Sequence, residues 1–168
     1  MKDYDSILSR MAALCSVSEH CESEIREKLQ KAAMPAHDIQ RVIDALYDDG
    51  YLDTARYCRA FSRDKLRFAH WGRIKIQQAL RMKGLPDTDI RQALNALDEE
   101  LGDEYRRILK DALEQKNRTL HDEDDYTRRG KLIRFAASRG FTPDEILNAL
   151  DERPRCHTSA STIPLISA

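Results

Sequence analysis

One apolar pattern occurs three times along the chain, at intervals of roughly fifty residues. Its positions are spaced three to five residues apart, as in helices that bury one face. The first copy consists of Ile25, Leu29, Met34, Ile39, Ile43 and Leu46. It recurs 51 residues later as Ile76, Leu80, Leu85, Ile90, Leu94 and Leu97, and most of it recurs after a further 56 residues as Leu132, Ala136, Phe141, Ile146 and Leu150. Such a repeat predicts helical units that stack on one another.

Residues with special backbone roles mark where these helices begin and end. Asp53 is suited to cap a helix over about 54–68. Gly84 and Gly140 stand where a helix ends in the left-handed conformation that glycine adopts most easily. The stretch 142–145, Thr-Pro-Asp-Glu, provides a cap, a proline at the first helical position and an acid in the first turn.

We therefore predict an all-α fold of three tandem three-helix repeats, similar to helix-turn-helix units, that form an elongated, curved array. The first repeat is assigned to 1–50, the second to 51–100 and the third to 101–152. Separate helices are predicted over 87–100 and 101–118. The tail over 153–168 has no helical period and is predicted to be disordered.

Composition narrows the class of protein. The sequence has no apolar run of about eighteen residues, so no membrane span is expected. The first ten residues have no apolar signal core, and the four cysteines have no C-x-x-C spacing, so we expect a reduced, cytoplasmic protein. The five histidines form no i, i+4 pair, and no glycine-rich phosphate loop is present. We expect no metal, no cofactor and no enzymatic activity.

The charges are strongly segregated, although the net charge is only −1. Residues 56–83 contain nine Lys or Arg and one acid, whereas 84–125 contain six Lys or Arg and thirteen acids. The nine candidate binding cations are Arg56, Arg59, Arg63, Lys65, Arg67, Arg73, Lys75, Arg81 and Lys83.

Four of these arginines form a stripe along one face of the helix over 54–68. Arg56, Arg59, Arg63 and Arg67 follow i, i+3, i+7, i+11 spacing, which places neighbours about 5–6 Å apart. No acid lies among them, so they repel one another. An anionic partner, whether phosphate or carboxylate, would remove that repulsion. The stripe therefore predicts a binding face.

Trp71, the only tryptophan of the chain, lies between two of the predicted helices. We interpret it as a structural junction together with Gly72, which allows a tight entry into the next helix, and Gly84, which ends that helix. The alternative is that Trp71 stacks on a nucleic-acid base.

The stretch 50–94 resembles the RecX family of bacterial recombination regulators. The resemblance rests on Leu52-Asp53, Arg56-Tyr57, Phe61, Arg63, the W-G-x-x-x-I pattern from Trp71 to Ile76, Leu80 and Lys83-Gly84. It extends more weakly over 6–49 and 127–150. The chain departs from the family pattern at Thr54, where an acid is common, at Cys58, where Ala is common, and at Cys21, where a Ser cap is usual.

The resemblance implies a non-enzymatic regulator of the RecA recombinase, active in DNA repair, recombination and the SOS response. Proteins of this family bind the RecA–DNA filament and usually restrain its growth, strand exchange, ATP hydrolysis and co-protease activity. The resemblance favours the basic residues of the middle repeat as contacts. We expect a monomer that contacts single-stranded DNA, or DNA within the filament, weakly or indirectly.

Two other functions remain open at this stage. The first is a stand-alone DNA-binding protein built from helix-turn-helix-like units. The helices that would enter the major groove are then 36–49, 87–100 and 143–152, whose charges are acidic or mixed and not basic. An adaptor that contacts only protein is the other.

Overall fold

The computed structural model describes residues 4–121 and 124–151, and it confirms the predicted all-α fold over these ranges. They form eight helices: α1 Tyr4–Val17, α2 Glu22–Lys31, α3 Ala36–Asp48, α4 Thr54–Ala69, α5 Arg73–Met82, α6 Asp87–Arg118, α7 Asp125–Ser138 and α8 Pro143–Asp151. None of these eight helices combines the length and the apolar character that crossing a membrane requires. The tail predicted to be disordered lies outside the described residues.

The helix ends follow the signals in the sequence. The Asp53 carboxylate accepts the Arg56 backbone N–H at 2.8 Å and so caps α4. At the start of α8 the Thr142 N–H donates to Glu145 Oε2 at 2.8 Å. Gly84 and Gly140 have φ of +78° and +89°, the left-handed conformation expected after a helix.

The predicted helix boundary between residues 100 and 101 coincides with a kink. The sequence predicts separate helices over 87–100 and 101–118, and the 32-residue α6 consists of two helical segments that meet at Leu101. Leu101 itself has non-helical dihedral angles, φ −127° and ψ 16°. The first segment of α6 belongs to the second repeat and the second segment to the third.

The apolar side chains form two separate cores. The first lies among α1, α2 and α3 and includes Ile25, Leu29, Ile43 and Leu46. The second extends over α4 to α8, and its fully buried members include Leu66, Ile76, Leu80, Ile90, Leu113, Phe141 and Ile146. The second and third repeats therefore share one core, so separating them would expose buried apolar surface to water.

The second and third repeats also meet backbone to backbone. The Gly72 N–H donates to the Arg139 carbonyl at 2.8 Å, and the Ile74 N–H donates to the Gly140 carbonyl at 3.0 Å. A Cβ on Gly72 would lie 2.4 Å from the carbonyl carbon and oxygen of Gly140. A Cβ on Gly140 would lie 2.4 Å from the Cβ of Lys75. Both positions therefore exclude any side chain.

Tyr105 of α6 completes this junction. Its hydroxyl oxygen accepts the Arg73 N–H at 3.1 Å, and the hydroxyl donates to Glu145 Oε2 at 3.2 Å. Its ring packs edge-on against Phe141, with 5.4 Å between ring centroids. Burial raises the pKa of Tyr105, so the hydroxyl stays protonated. The first N–H groups of α5, which have no partner within their own helix, are thus satisfied by Tyr105 and by the α7–α8 turn.

The first repeat joins the second mainly through Glu24. Its carboxylate accepts hydrogen bonds from Lys83 Nζ at 2.6 Å and from the Tyr57 hydroxyl at 2.9 Å. His20 Nδ1 lies 3.0 Å from Glu24 Oε2. Burial alone would raise the pKa of Glu24, but hydrogen bonds from Lys83, Tyr57 and His20 outweigh it and lower the pKa to about 2. Glu24 is therefore ionised under all ordinary conditions and connects α2 to α4 and α5.

An ion pair and one small side chain complete the contact of the first repeat. Arg56 Nε donates to Glu19 Oε1 at 2.6 Å. Cys21 is buried and packs into the core of the second and third repeats. The junction of the first repeat is thus largely polar, whereas the junction of the other two is apolar and backbone-mediated.

Substitution of the glycines tests the backbone junction. We expect Gly72→Ala to lower the free energy of unfolding by about 3 kcal/mol, because the new methyl group overlaps the Gly140 backbone. Gly84→Ala has free space and suffers only backbone strain, about 1 kcal/mol. Gly102→Ala, also in free space, is expected to stabilise α6 by up to about 1 kcal/mol. Urea denaturation measures all three, and equal losses for Gly72→Ala and Gly84→Ala would contradict the overlap.

The depressed pKa of Glu24 predicts a pH-dependent contribution to stability. The usual pKa of a glutamate is 4.5 and that of Glu24 is about 2, so its contribution is complete above pH 4.5 and is lost as the pH falls towards 2. We expect Glu24→Gln to cost about 1–2 kcal/mol near neutral pH, after allowance for partial solvent exposure, and less in acid.

Denaturation at a series of pH values measures this difference. Glu22→Gln is the matched control, since Glu22 lies on the same helix and pairs only with Arg26 near the surface. We expect its effect to stay within about 0.5 kcal/mol. A Glu24→Gln cost that does not change with pH would contradict the assigned role.

Candidate functional site

The arginine stripe lies on the surface of α4, but its expected lack of acidic neighbours is wrong. Arg63 Nη2 donates to Glu100 Oε2 at 2.7 Å. Arg67 makes two hydrogen bonds to the Glu104 carboxylate, at 2.8 and 2.9 Å. Both acids belong to α6, which packs along α4. The repulsion within the stripe is therefore relieved inside the molecule.

Most of the other predicted cations are paired as well. The pairs are Arg56–Glu19 at 2.6 Å, Arg73–Asp98 at 2.7 Å, Arg81–Asp87 at 2.7 Å and Lys83–Glu24 at 2.6 Å. Acids of 84–125 and of the first repeat thus lie against the basic segment 56–83. Folding cancels much of the charge segregation that the sequence displays.

The pairs that Arg63 and Arg67 make with α6 lie near the surface. The side chains of Arg63 and Arg67 are 43% and 41% exposed. The hydrogen bond with Glu104 raises the pKa of Arg67, and the same bond lowers the pKa of Glu104. Exposed ion pairs contribute little to stability because water and salt screen them. Arg63 and Arg67 therefore remain accessible to other anions from solution.

Three predicted cations have no carboxylate partner among the described residues: Arg59, Lys65 and Lys75. The Lys65 and Lys75 ammonium groups lie 5.1 and 4.7 Å from the centroid of the Trp71 ring. Lys65 also lies 5.2 Å from the ring of Phe61. These distances are those of cation–π interactions. Two of these three cations therefore lie beside the tryptophan of the second repeat, whereas Arg59 lies elsewhere on α4.

A groove of about 510 Å³ lies beside Trp71. We call it the aromatic–lysine groove, and its main lining residues are Tyr57, Phe61, Lys65, Trp71 and Lys83. The rings of Tyr57 and Phe61 are stacked, with 5.9 Å between centroids and 29° between planes. Lys83 lies 6.0 and 5.9 Å from these two rings. The groove thus combines aromatic faces with two ammonium groups and with the carboxylates of Glu19, Glu24 and Asp64, which also line it.

The predicted junction residues have distinct roles. Trp71 is half-buried and packs partly against the large core. Gly72 has φ −81°, which any residue can adopt, so a tight helix entry does not explain the glycine. The approach of Gly140 explains it instead. Gly84 has no atom near its missing side chain, so its left-handed φ is the reason for glycine there.

Sequence reasoning missed the acids of α6 and the role of Glu24. Glu100 and Glu104 repeat the four-residue spacing of Arg63 and Arg67. That matching spacing is the signal that could have indicated ion pairs between two helices lying side by side.

The cysteines and acids offer no evident metal site within residues 4–121 and 124–151, where no group of three or more potential ligands is close enough together. Cys15, Cys21 and Cys58 are buried, free thiols. Burial raises the pKa of Cys58 to about 11, so it remains a protonated, apolar side chain. Cys156 and His157 lie outside the described residues.

Comparison with known proteins identifies the repeats. The family model for the second three-helix domain of RecX matches residues 53–94. The model for the third three-helix domain of RecX matches residues 103–150. The first match contains α4, α5 and α6 as far as Leu94. The second contains α6 from Asp103 onward, α7, and α8 as far as Leu150.

Proteins of known name are similar over most of the chain. Regulatory protein RecX of Prosthecochloris aestuarii is 30% identical over 90% of this chain and 97% of its own length. Regulatory protein RecX of Clostridium botulinum is 32% identical over 88% of this chain and 70% of its own.

Solved structures agree on the fold. A crystal structure of regulatory protein RecX has a TM-score of 0.78 at 23% identity and covers 89% of this chain and 73% of that one. The crystal structure of RecX from Lactobacillus salivarius has a TM-score of 0.75 at 17% identity and covers 89% and 95%. Two domain models match in tandem, and the relative from Prosthecochloris aestuarii is 30% identical over 97% of its own length, so this chain belongs to the RecX family of regulatory proteins.

Proposed function

We propose that this protein binds the filament that the RecA recombinase forms on DNA and restrains it. Filament growth, strand exchange, ATP hydrolysis and co-protease activity would all decrease. Its relatives are named as regulatory proteins, which supports this proposal. Under this proposal, the protein acts in the cytoplasm as a monomer and catalyses no reaction. It contacts DNA weakly or through the filament.

The exchangeable ion pairs of α4 carry the proposal. Arg63 and Arg67 are held in a fixed direction by Glu100 and Glu104, yet they remain partly exposed. A nucleoprotein filament offers carboxylates and phosphates, and the planar guanidinium group pairs with either. In the free protein the acids of α6 keep this face neutral and soluble. In the complex, anionic groups of the filament replace Glu100 and Glu104 as the partners of the two arginines.

A stand-alone DNA-binding function has less support. The helices that would enter the major groove start with acids in their first turns: Asp38 in α3, Asp87 and Asp89 in α6, and Asp144 and Glu145 in α8. A groove-reading helix carries Arg, Asn or Gln in that position instead. Inhibition without any dependence on DNA would indicate the protein-only adaptor, whereas bare-DNA affinity equal to that for the filament would indicate the stand-alone binder.

The arginines of α4 provide the direct test of the proposed function. We expect the double variant Arg63→Gln, Arg67→Gln to inhibit ATP hydrolysis by the recombinase on single-stranded DNA about tenfold less potently, because two charge-assisted contacts are lost. The matched control is Arg106→Gln, Arg118→Gln. These arginines are exposed and each pairs with an acid of its own helix, in the third repeat.

The reciprocal variant separates binding from folding. Glu100→Gln, Glu104→Gln frees the same two arginines and should strengthen inhibition or leave it unchanged. If removal of the acids weakens inhibition as much as removal of the arginines, the pairs serve only the fold and the proposal is wrong. Circular dichroism of each variant verifies that helix content is retained.

A further inference from the structure

A second groove, of about 380 Å³, lies between α1 and α2 in the first repeat, and the proposed function does not use it. Both helices pack against α3 but make little direct contact with each other, so the space between them stays open. We call this space the α1–α2 groove. Its volume lies within the range of small binding sites. The residues that line it are Ile7, Arg10, Met11, Leu14, Lys28, Leu29 and Ala32.

The floor of the groove is aliphatic. Ile7 and Leu29 are buried members of the core of the first repeat. Met11 and Leu14 pack against that core but are only half-buried, so part of each side chain faces the groove. Val17 follows Leu14 by three residues on the same face of α1 and is 86% exposed. The apolar surface therefore runs along α1 for about 15 Å, from the groove to the end of the helix.

The rim of the groove is positively charged on both sides. Arg10 of α1 and Lys28 of α2 are exposed, and neither forms an ion pair with an acid of residues 4–121 and 124–151. Other cations of the first repeat do find such partners, as Lys31 does with Glu27. No acid lines the groove. The site thus offers an apolar floor between two positive charges.

This combination favours an amphipathic helix over nucleic acid. No aromatic ring lines the groove, so bases would have nothing to stack on. A space between two helices accepts the side-chain ridge of a third, whereas helices offer no strand edge with which an extended peptide could pair. Apolar residues one turn apart would fill the floor, and acids beside them would reach the two cations.

The charge of the incoming segment also argues against the end of this chain as the occupant. Residues 153–168 contain Arg153 and Arg155 and no acid. These arginines would meet Arg10 and Lys28, which have the same sign of charge. A complementary segment therefore belongs to another molecule.

We propose that the α1–α2 groove docks an acidic amphipathic helix of a partner protein. Aliphatic side chains of that helix lie against Met11, Leu14 and Val17, and its carboxylates pair with Arg10 and Lys28. The arginines of α4 take no part, so this docking is independent of the proposed function. Because the groove is small and its cations are exposed, an isolated helix binds weakly and less well in high salt.

Methionine methyl NMR tests the groove, because Met11 lines it and the chain has only four methionines. The probe is a synthetic helical peptide of about four turns, with leucines one turn apart flanked by glutamates. We expect the peptide to shift the Met11 methyl signal and to leave that of Met82 unchanged, since Met82 is 90% exposed on α5. Equal shifts at both methionines, or no shift up to millimolar peptide, would overturn the proposal.

Altered peptides separate the two contributions to binding. A peptide with lysines in place of the glutamates should bind at least about tenfold more weakly, because its charge opposes that of the rim. A peptide with alanines in place of the leucines should also lose at least about tenfold, because the floor is left unfilled. Affinity equal to that of the original peptide, in either case, would contradict the docking of an acidic amphipathic helix.

Variants of the protein assign the charged contacts, with a labelled acidic peptide followed by anisotropy. Arg10→Gln, Lys28→Gln should weaken binding about tenfold. The matched control is Lys31→Gln, Arg41→Gln, which removes two cations of the same repeat that pair with acids of their own helices. Its affinity should stay within about twofold. Equal weakening by both variants would mean nonspecific attraction and would overturn the site.

Other occupants of the groove give distinct results in the same NMR measurement. Anionic phospholipid vesicles and a thymidylate oligonucleotide should leave the Met11 signal unchanged. Dilution of the protein without peptide should do the same, since a second copy in the groove would make the signal depend on protein concentration. A response to any of these three as large as that to the acidic peptide would identify a different occupant and overturn the proposal.

Discussion

The backbone of Gly72 lies directly against that of Gly140, and the arrangement of the cationic surface depends on this contact. Carbonyls of the α7–α8 turn and the hydroxyl of Tyr105 accept the first N–H groups of α5. A helix start that would otherwise need water or a capping side chain is satisfied by the next repeat. The α4–α5 corner is thereby fixed, and Trp71 and Lys75 lie on that corner.

The two junctions of the array rest on different physical interactions. A shared apolar core and buried backbone hydrogen bonds join the second and third repeats. Glu24 and the Arg56–Glu19 pair hold the first repeat, which has a core of its own. Salt screens ion pairs and pH changes can neutralise them, whereas apolar burial does not depend on the charge of titratable groups. We therefore expect the first repeat to open with a lower free energy than the other two.

Much of the fold could be predicted from the sequence, because the information is local. The apolar period and capping signals such as Asp53 and Gly140 concern residues within a few positions of each other. The partners of Arg63 and Arg67 lie 37 residues away on another helix, and helical spacing within α4 cannot reveal them. The reason for Gly72 is similarly distant, since the constraint comes from a different repeat. In the candidate site, the charges were predictable, whereas their pairing could be predicted only by assuming that α4 and α6 lie side by side.

The central claim is that the second and third repeats unfold as one unit, because the first amides of α5 are hydrogen-bonded to the α7–α8 turn. Amide hydrogen exchange in the native protein tests this claim most directly. The account predicts that the Gly72 and Ile74 amides exchange as slowly as those in the centre of α6, and that α1 to α3 exchange with a separate, lower opening free energy. Rapid exchange of the Gly72 and Ile74 amides, or separate opening of α7 and α8 before α5, would contradict it.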